Sequence, residues 1–261
     1  NATGEISGAF GSTAYGPLWA PAVTSWLRVM GVTARQFAIQ LVGKIGGAGV
    51  TDRTYTMTAE NQMVEDLLET DCTHLFMTEM DMILPDDCIL KLMALDKDMA
   101  CGVYFLRSNI QPGRGQPCLY KRASGIEWRK RLAARENGAY LHSPVSLFPY
   151  DKPFPIDCGG LGCVLIKRKV FETLKKPWFD LKASSEEKHT GYGSDMYFFT
   201  HARSQGFELW CDPTVVCGQI DYYVTDMEDY RWQLENNPGF ASRGYIIGMG
   251  GNGISEKIST T

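Results

Sequence analysis

Two carboxylates at alternate positions, Glu79 and Asp81, follow directly on the short apolar run His74-Leu75-Phe76-Met77-Thr78. A run of that length, bounded by polar residues, reads as a fully buried strand. Pro85 then opens a predicted helix with Asp86 and Asp87 in its first turn, where negative charge suits the helix dipole. The pair therefore sits at the carboxyl end of a buried strand, the position at which open α/β sheets hold ligands. Oxygen ligands there suit a hard divalent cation, and such a cation suits a diphosphate. The same pattern also describes a solvated strand-to-helix turn, and Glu-x-Asp alone does not choose. A third carboxylate, Asp195, follows Gly191-Tyr192-Gly193-Ser194 at the start of an aromatic-rich helix. Ser and Asp are both good capping residues, so a plain helix cap is the simpler account of that position.

The elements that must hold these groups are read from periodicity. Residues 5–10 and the alternating Phe37, Ile39 and Leu41 suggest strands. Trp19, Val23, Trp26, Leu27 and Met30 recur at helical spacing over residues 18–30, and Val64, Leu67 and Leu68 mark a helix over 58–70. After the acidic strand end come a helix with Ile89, Leu92 and Met93 inward, then an apolar strand over 99–105. Strand, helix, strand, helix, strand, helix, strand is an α/β order and implies a largely parallel sheet covered by helices. A glycine stretch from Ile156 with a strand in the apolar run after it, Cys163-Val164-Leu165-Ile166, a short helix at 170–174, and closing strands at 207–211 and 214–217 follow. Beyond Tyr223 the chain turns polar and glycine-rich, so residues 226–261 are expected to form a partly irregular extension.

Other features narrow the function. A length of 261 residues fits one large domain or two small ones. A net charge of −4 gives no general reason to expect nucleic acid or an anionic membrane as partner. No apolar run approaches the roughly 20 residues that span a bilayer, and Asn1-Ala2-Thr3-Gly4-Glu5 lacks signal-peptide features. The eight cysteines contain no Cys-x-x-Cys pair and several lie in apolar runs, so they are expected to be buried and reduced, as in a cytoplasmic protein. Gly43-Lys44-Ile45-Gly46-Gly47-Ala48-Gly49 is not a phosphate loop, because its lysine precedes the glycines. Between Arg107 and Tyr150 periodicity gives way to Lys121, Arg122, Arg129, Lys130, Arg131 and Arg135, with Trp128 among them. That segment either meets an anion or is a solvated excursion.

Taken in order, the pieces resemble a family-2-type glycosyltransferase of the GT-A fold, of the compact bacterial and viral kind. Four segments over roughly residues 5–225 carry the resemblance: the helix start around Asn61; the strand, acidic turn and Pro-Asp-Asp helix leading to Gly102-Val103-Tyr104-Phe105-Leu106-Arg107; Gly160-Leu161-Gly162-Cys163-Val164-Leu165-Ile166 with Lys176-Pro177-Trp178-Phe179; and Ser194-Asp195-Met196 through Trp210-Cys211-Asp212-Pro213 and Cys217-Gly218. The family often has Arg before the asparagine, where this chain has Glu60. Its Asp-x-Asp is here Glu79-Met80-Asp81, and Gln219 stands where related enzymes commonly have a metal-ligating histidine.

The resemblance implies a GT-A-like, nucleotide-diphospho-sugar transferase fold, with a mixed, mostly parallel central sheet flanked by helices. One domain would cover 1–225, with a nucleotide-sugar half over about 1–106 and an acceptor half over 107–225. It implies transfer of a sugar from a UDP- or GDP-sugar to the hydroxyl of a glycan or other acceptor, with inversion, in a bacterial or virus-infected cytoplasm. Mn²⁺ or Mg²⁺ on Asp81, Glu79 and Gln219 would stabilise the leaving diphosphate. Asp195 would be the general base, although a helix N-terminus by itself lowers its pKa. Ala9, Phe10 and Asn61, with Glu79 and Asp81, would face the donor, and Trp178, Gly160 and Ser194 the acceptor. Two competing readings are a GT-A-like domain that binds nucleotide sugar or glycan without turnover, and a nucleotidyltransferase.

Overall fold

The structure, a computed structural model, describes residues 6–14, 18–42, 50–52, 56–106, 115–122, 142–181, 193–220, 224–225, 227–236 and 245–246. Eight strands form the central sheet: β1 (Ser7–Ala14), β2 (Ala38–Leu41), β3 (Val50–Asp52), β4 (His74–Glu79), β5 (Met99–Val103), β6 (Phe154–Ile156), β7 (Cys163–Lys167) and β8 (Leu209–Val216). Their order is β6-β8-β5-β7-β4-β1-β2, with β3 beside the carboxyl half of β1. The β1–β2, β1–β3, β1–β4 and β5–β8 pairs are parallel. β7 is inserted antiparallel between β4 and β5, and β6 closes the far edge antiparallel to β8. This is the mixed, mostly parallel α/β sheet expected from the sequence.

Successive strand residues point to opposite faces, and along the inner strands β4, β5 and β7 both faces are dry. Phe10, Phe76 and Leu165 face α1 (Ala20–Thr33) and α3 (Cys88–Ala94), which contribute Trp26, Val29, Ile89 and Leu92. Ala9, Leu75, Met77 and Val164 face α2 (Thr56–Leu68), α4 (Arg168–Thr173), α5 (Ser194–Ser204) and α6 (Met227–Asn236). That is why the strands read as continuous apolar runs and not as alternating ones. Arg168, the first residue of α4, ties that helix to α2 on the same face of the sheet. Its guanidinium donates to the carbonyls of Leu67, Thr70 and Leu68, the end of α2 where carbonyls lack helical partners.

Several elements differ from expectation. The helix after Pro85 starts at Cys88, so Asp86 and Asp87 precede it and pair with Arg28 and Lys91 at 2.9 and 3.1 Å. The two closing strands are one, β8, which runs through Asp212-Pro213 with a register shift against β5. Asp212 absorbs that shift by accepting from the Thr214 amide and hydroxyl.

The largest difference is α6. Tyr230 is fully buried, stacked on Phe105 and Phe148 at 5.3 Å each, and donates to the Ser146 carbonyl at 2.6 Å. Residues 227–236 thus complete the core, and Tyr245–Ile246 pairs with His142–Leu147. The rest of the expected irregular tail, the glycine-rich run at 43–49, Trp128, Arg129, Lys130, Arg131 and Arg135 lie outside the described residues. Lys121 is instead turned inward with Arg203 onto Asp157, at 3.8 and 2.9 Å. All eight cysteines are buried free thiols. Among the described residues no helix is long and apolar enough to cross a membrane.

Candidate functional site

Strand direction decides what meets what. β4 and β5 both run against β7, while β1 follows β4 and β8 follows β5, so these four strands end on one edge. Glu79, the last residue of β4, is level with Thr13 of β1. Asp81, Tyr104, the Gly160-Leu161-Gly162 turn and the Gly218–Ile220 strand all lie just beyond strand ends on that same edge.

The Gly218–Ile220 strand pairs with Met82–Ile83, and the Ile220 amide donates to the Asp81 carbonyl at 2.7 Å. This brings together side chains 138 positions apart. Gln219 Nε2 donates to Asp81 Oδ2 at 3.2 Å, with both residues buried. Gln219 Oε1 is buried and meets no hydrogen-bond donor among the described residues. A carboxylate beside such an amide oxygen is an oxygen-only donor set, and it fits a hard divalent cation. Among the described residues, no three His, Cys, Asp or Glu side chains converge to hold a metal. Any ion here would need oxygens from a ligand to complete its shell.

At the end of β4, beside Glu79, is a cavity of about 290 Å³. α2 lines it with Thr56, Met57 and Glu60, β4 with Glu79, and the start of α5 with Gly193, Ser194 and Asp195. Leu161 and Leu181 supply apolar wall. Glu79 and Asp195 are therefore brought to one cavity, while Asp81 is not among its lining residues. Asp195 Oδ1 accepts from the Met196 amide at 2.7 Å, but the N-cap position is Gly193 and no side chain caps the helix. Burial raises the Asp195 carboxyl above the usual carboxylate range, against the lowering by the Met196 and Asp195 amides. Desolvation outweighs the helix terminus, the reverse of the expectation from sequence.

Glu60 is the member that sequence reasoning missed. It is only 2% exposed, and burial pushes its carboxyl up to about 8. A Ser194 side-chain hydrogen bond works against that rise and the charge of Asp195 adds to it. Glu60 Oε2 is buried and has no hydrogen-bond partner among the described residues. The signal was present in the pattern: with Met63, Val64 and Leu67 it occupies i, i+3, i+4 and i+7, the buried stripe of α2.

Other expected site residues serve the fold instead. Asn61 Nδ2 donates to the Met57 and Phe179 carbonyls at 2.7 Å each, while Oδ1 accepts from the Trp178 and Phe179 amides. Its amide is saturated by backbone and has nothing left for a nucleotide. Ala9 and Phe10 are core, with Phe10 stacked on Phe76 at 5.6 Å. Trp178 is buried and donates Nε1 to the Phe171 carbonyl, which removes its ring from any sugar. Gly160 is a packing glycine, since a Cβ there would lie 1.7 Å from the Tyr104 hydroxyl. Ser194 does line the cavity.

No family model matches the chain, and no curated protein matches it. Similarity is found among solved structures. The crystal structure of A197 from STIV superposes with a TM-score of 0.53 and 14% identity, over 83% of this chain and 86% of that one. At that identity the likeness shows a common fold and nothing about activity. The inositol-1-phosphate CTP transferase from T. maritima matches at a TM-score of 0.43 and 11% identity, over 89% of this chain and 96% of that one. That superposition is too loose to support an argument.

Proposed function

We propose that the chain is a glycosyltransferase that moves a sugar from a nucleotide-diphosphate donor to an acceptor hydroxyl. The observation that carries this reading is the pairing, on one sheet edge, of Asp81–Gln219 with the cavity holding Glu79 and Asp195. A diphosphate needs its charge offset, and a hydroxyl nucleophile needs a base; the edge provides a place for each. Asp81 and Gln219, with Glu79 two residues earlier in the chain, would hold Mn²⁺ or Mg²⁺. When bound, the ion supplies Lewis-acid stabilisation of the leaving diphosphate.

Asp195 would accept the proton from the acceptor hydroxyl, and its raised pKa makes it a better base than an exposed aspartate. The cavity wall around it limits the water that competes with the acceptor. A hydroxyl attacking the face opposite the diphosphate inverts the anomeric centre, the outcome expected here.

The test is a melting-temperature panel of UDP, GDP, CDP, ADP and their sugar conjugates, each with and without Mn²⁺. A ligand that binds only the folded state raises the melting temperature. A Mn²⁺-dependent rise with one nucleotide, lost in Asp81→Ala and kept in Asp195→Ala, supports the assignment. Normal nucleotide and Mn²⁺ binding by Asp81→Ala would refute it. One observation favours a second reading, a domain that binds donor or glycan without turnover: Gln219 already satisfies Asp81 with an N–H. Metal-dependent hydrolysis of a nucleotide sugar by the wild-type chain would exclude that reading.

A further inference from the structure

The central sheet has two edges, and they are built differently. At the far edge, β6 carries Pro155 in its middle, opposite Trp210 of β8. Proline has no N–H to offer a further strand, so that edge is protected against extension. At the other edge β2 is the last strand, and among the described residues none pairs with its outer side. Its sequence, Ala38-Ile39-Gln40-Leu41, holds neither a proline nor a charge, two devices that keep an edge from pairing.

On that side backbone polar groups face outward. The Val42 amide donates inward, to the Phe10 carbonyl, and in a parallel strand the N–H and C=O groups of alternate residues point to opposite sides. Those of Ile39 and Leu41 therefore point away from β1. Beside them lies α1, whose rotation is fixed by two contacts with the segment leading into α3. Arg28 pairs with Asp86, and the Ser25 hydroxyl accepts from the Leu84 amide. The other flank, Trp19, Val23, Leu27 and Met30 at i, i+4, i+8 and i+11, is thereby turned toward the β2 edge. Val23 and Met30 pack there against the same cluster as Ile39. Leu27 is 62% exposed, Trp19 46% and Leu41 41%. None of these residues carries a charge.

We propose that this side of the molecule, the outer edge of β2 with the apolar flank of α1, pairs with the same side of a second copy of the chain. The two β2 strands run antiparallel across a two-fold axis and join the sheets.

Three features select that occupant. A lipid surface would take the apolar flank but leave the outward groups of Ile39 and Leu41 without partners, whereas a strand satisfies them. The chain carries a net charge of −4, so two copies meet at least cost where neither presents a carboxylate. Pro155 keeps β6 from accepting β2 head-to-tail, so the pairing closes as a dimer instead of growing into a fibre. The β2 ladder alone is small against the roughly 800 Å² that each partner of a stable interface buries. The flank of α1, about 21 Å long for 14 residues, provides the remaining apolar area. The cavity of Glu79 and Asp195 adjoins α2 and α5, on the opposite face of the sheet from α1, so the inference is independent of the glycosyl-transfer reading.

The test is sedimentation equilibrium over roughly 1–100 µM, with amide hydrogen exchange followed by NMR. Wild type should form a concentration-dependent dimer. Leu27→Glu and Leu41→Lys each enter a two-fold interface twice, and each should weaken the dimer at least about tenfold. Both side chains are exposed, so both variants should fold, which thermal melting checks. In the dimer the Ile39 and Leu41 amides should exchange at least about tenfold more slowly than in dilute monomer, while the inward Val42 amide is protected in both. A wild-type chain that stays monomeric throughout the range would overturn the inference. So would a dimer that survives both substitutions, or one whose Ile39 and Leu41 amides exchange as in the monomer. A monomer that floats with phosphatidylglycerol vesicles, and loses that binding in Leu27→Glu, would make the flank a lipid-binding face and equally overturn it.

Discussion

Replacing Glu60 by Gln keeps the shape of the side chain and removes its proton equilibrium, so its effect on stability must depend on pH. The carboxyl has a folded-state pKa of about 8 against an ordinary value of 4.5. The folded protein therefore holds the proton more tightly than the unfolded chain. Glu60's contribution is fully present below pH 4.5 and is lost as pH rises through 8. Each pH unit inside that window costs about 1.4 kcal/mol, so wild type loses on the order of 3–4 kcal/mol between pH 5 and 8 through this residue. The substituted amide has nothing to ionise and avoids the loss. Urea unfolding of both chains at pH 5, 6.5 and 8, at fixed ionic strength, measures the difference directly. The Glu60→Gln chain should gain on wild type by at least about 2 kcal/mol over that range. Parallel stability curves for the two chains would refute the burial argument, and with it the picture of a protonated acid in the cavity.

Three further outcomes follow from the same geometry. Gly160→Ala should destabilise by about 2–3 kcal/mol by overpacking, because its Cβ meets the Tyr104 hydroxyl. Adding Tyr104→Phe should recover about 1 kcal/mol or more in a double-mutant cycle, and strict additivity would contradict the contact. Asn61→Ala should cost about 3 kcal/mol by orphaning backbone groups at Met57, Trp178 and Phe179, seen as a lower denaturation midpoint. His74 and His142 are both held down to about 4, chiefly by burial. Their stabilisation is present above the ordinary 6.5 and is lost as pH falls through 4, at about 2–3 kcal/mol each once partial exposure is allowed for. His142→Gln should flatten the acid limb of the stability profile, and an unchanged limb would show that His142 is accessible to protons when folded.

Local pattern was sufficient for much of the fold. A buried strand of four or more apolar residues and a helix with an apolar stripe are defined within a few turns of chain, so β4, β5, β7, α1 and α2 were legible within a few residues. The same locality explains the failures. α6 has a mostly polar surface, and what fixes it is Tyr230, whose partners Phe105 and Phe148 are more than 80 positions away. Asn61 and Trp178 were expected at the ligand sites because the family resemblance implied it. Only the contact between α2 and residues 178–179 showed that the Asn61 amide is taken up by that backbone, as the Trp178 indole is by the Phe171 carbonyl.

The candidate site divides in the same way. Glu79, Asp81 and Asp195 were singled out by residue type and by their place at strand and helix ends, and Gln219 by the family resemblance alone. Their grouping was not, because it depends on strand order. The antiparallel insertion of β7 between β4 and β5 sets which loops share an edge, and no local pattern encodes that choice. Tertiary structure thus placed Gln219 on Asp81 and separated Asp81 from the cavity of Glu79 and Asp195. It also turned Glu60, an unremarked acid on an apolar stripe, into a buried proton-holding group. Burial and proximity are properties of the packed chain, and they set both the pKa of a carboxyl and the ligand it can meet.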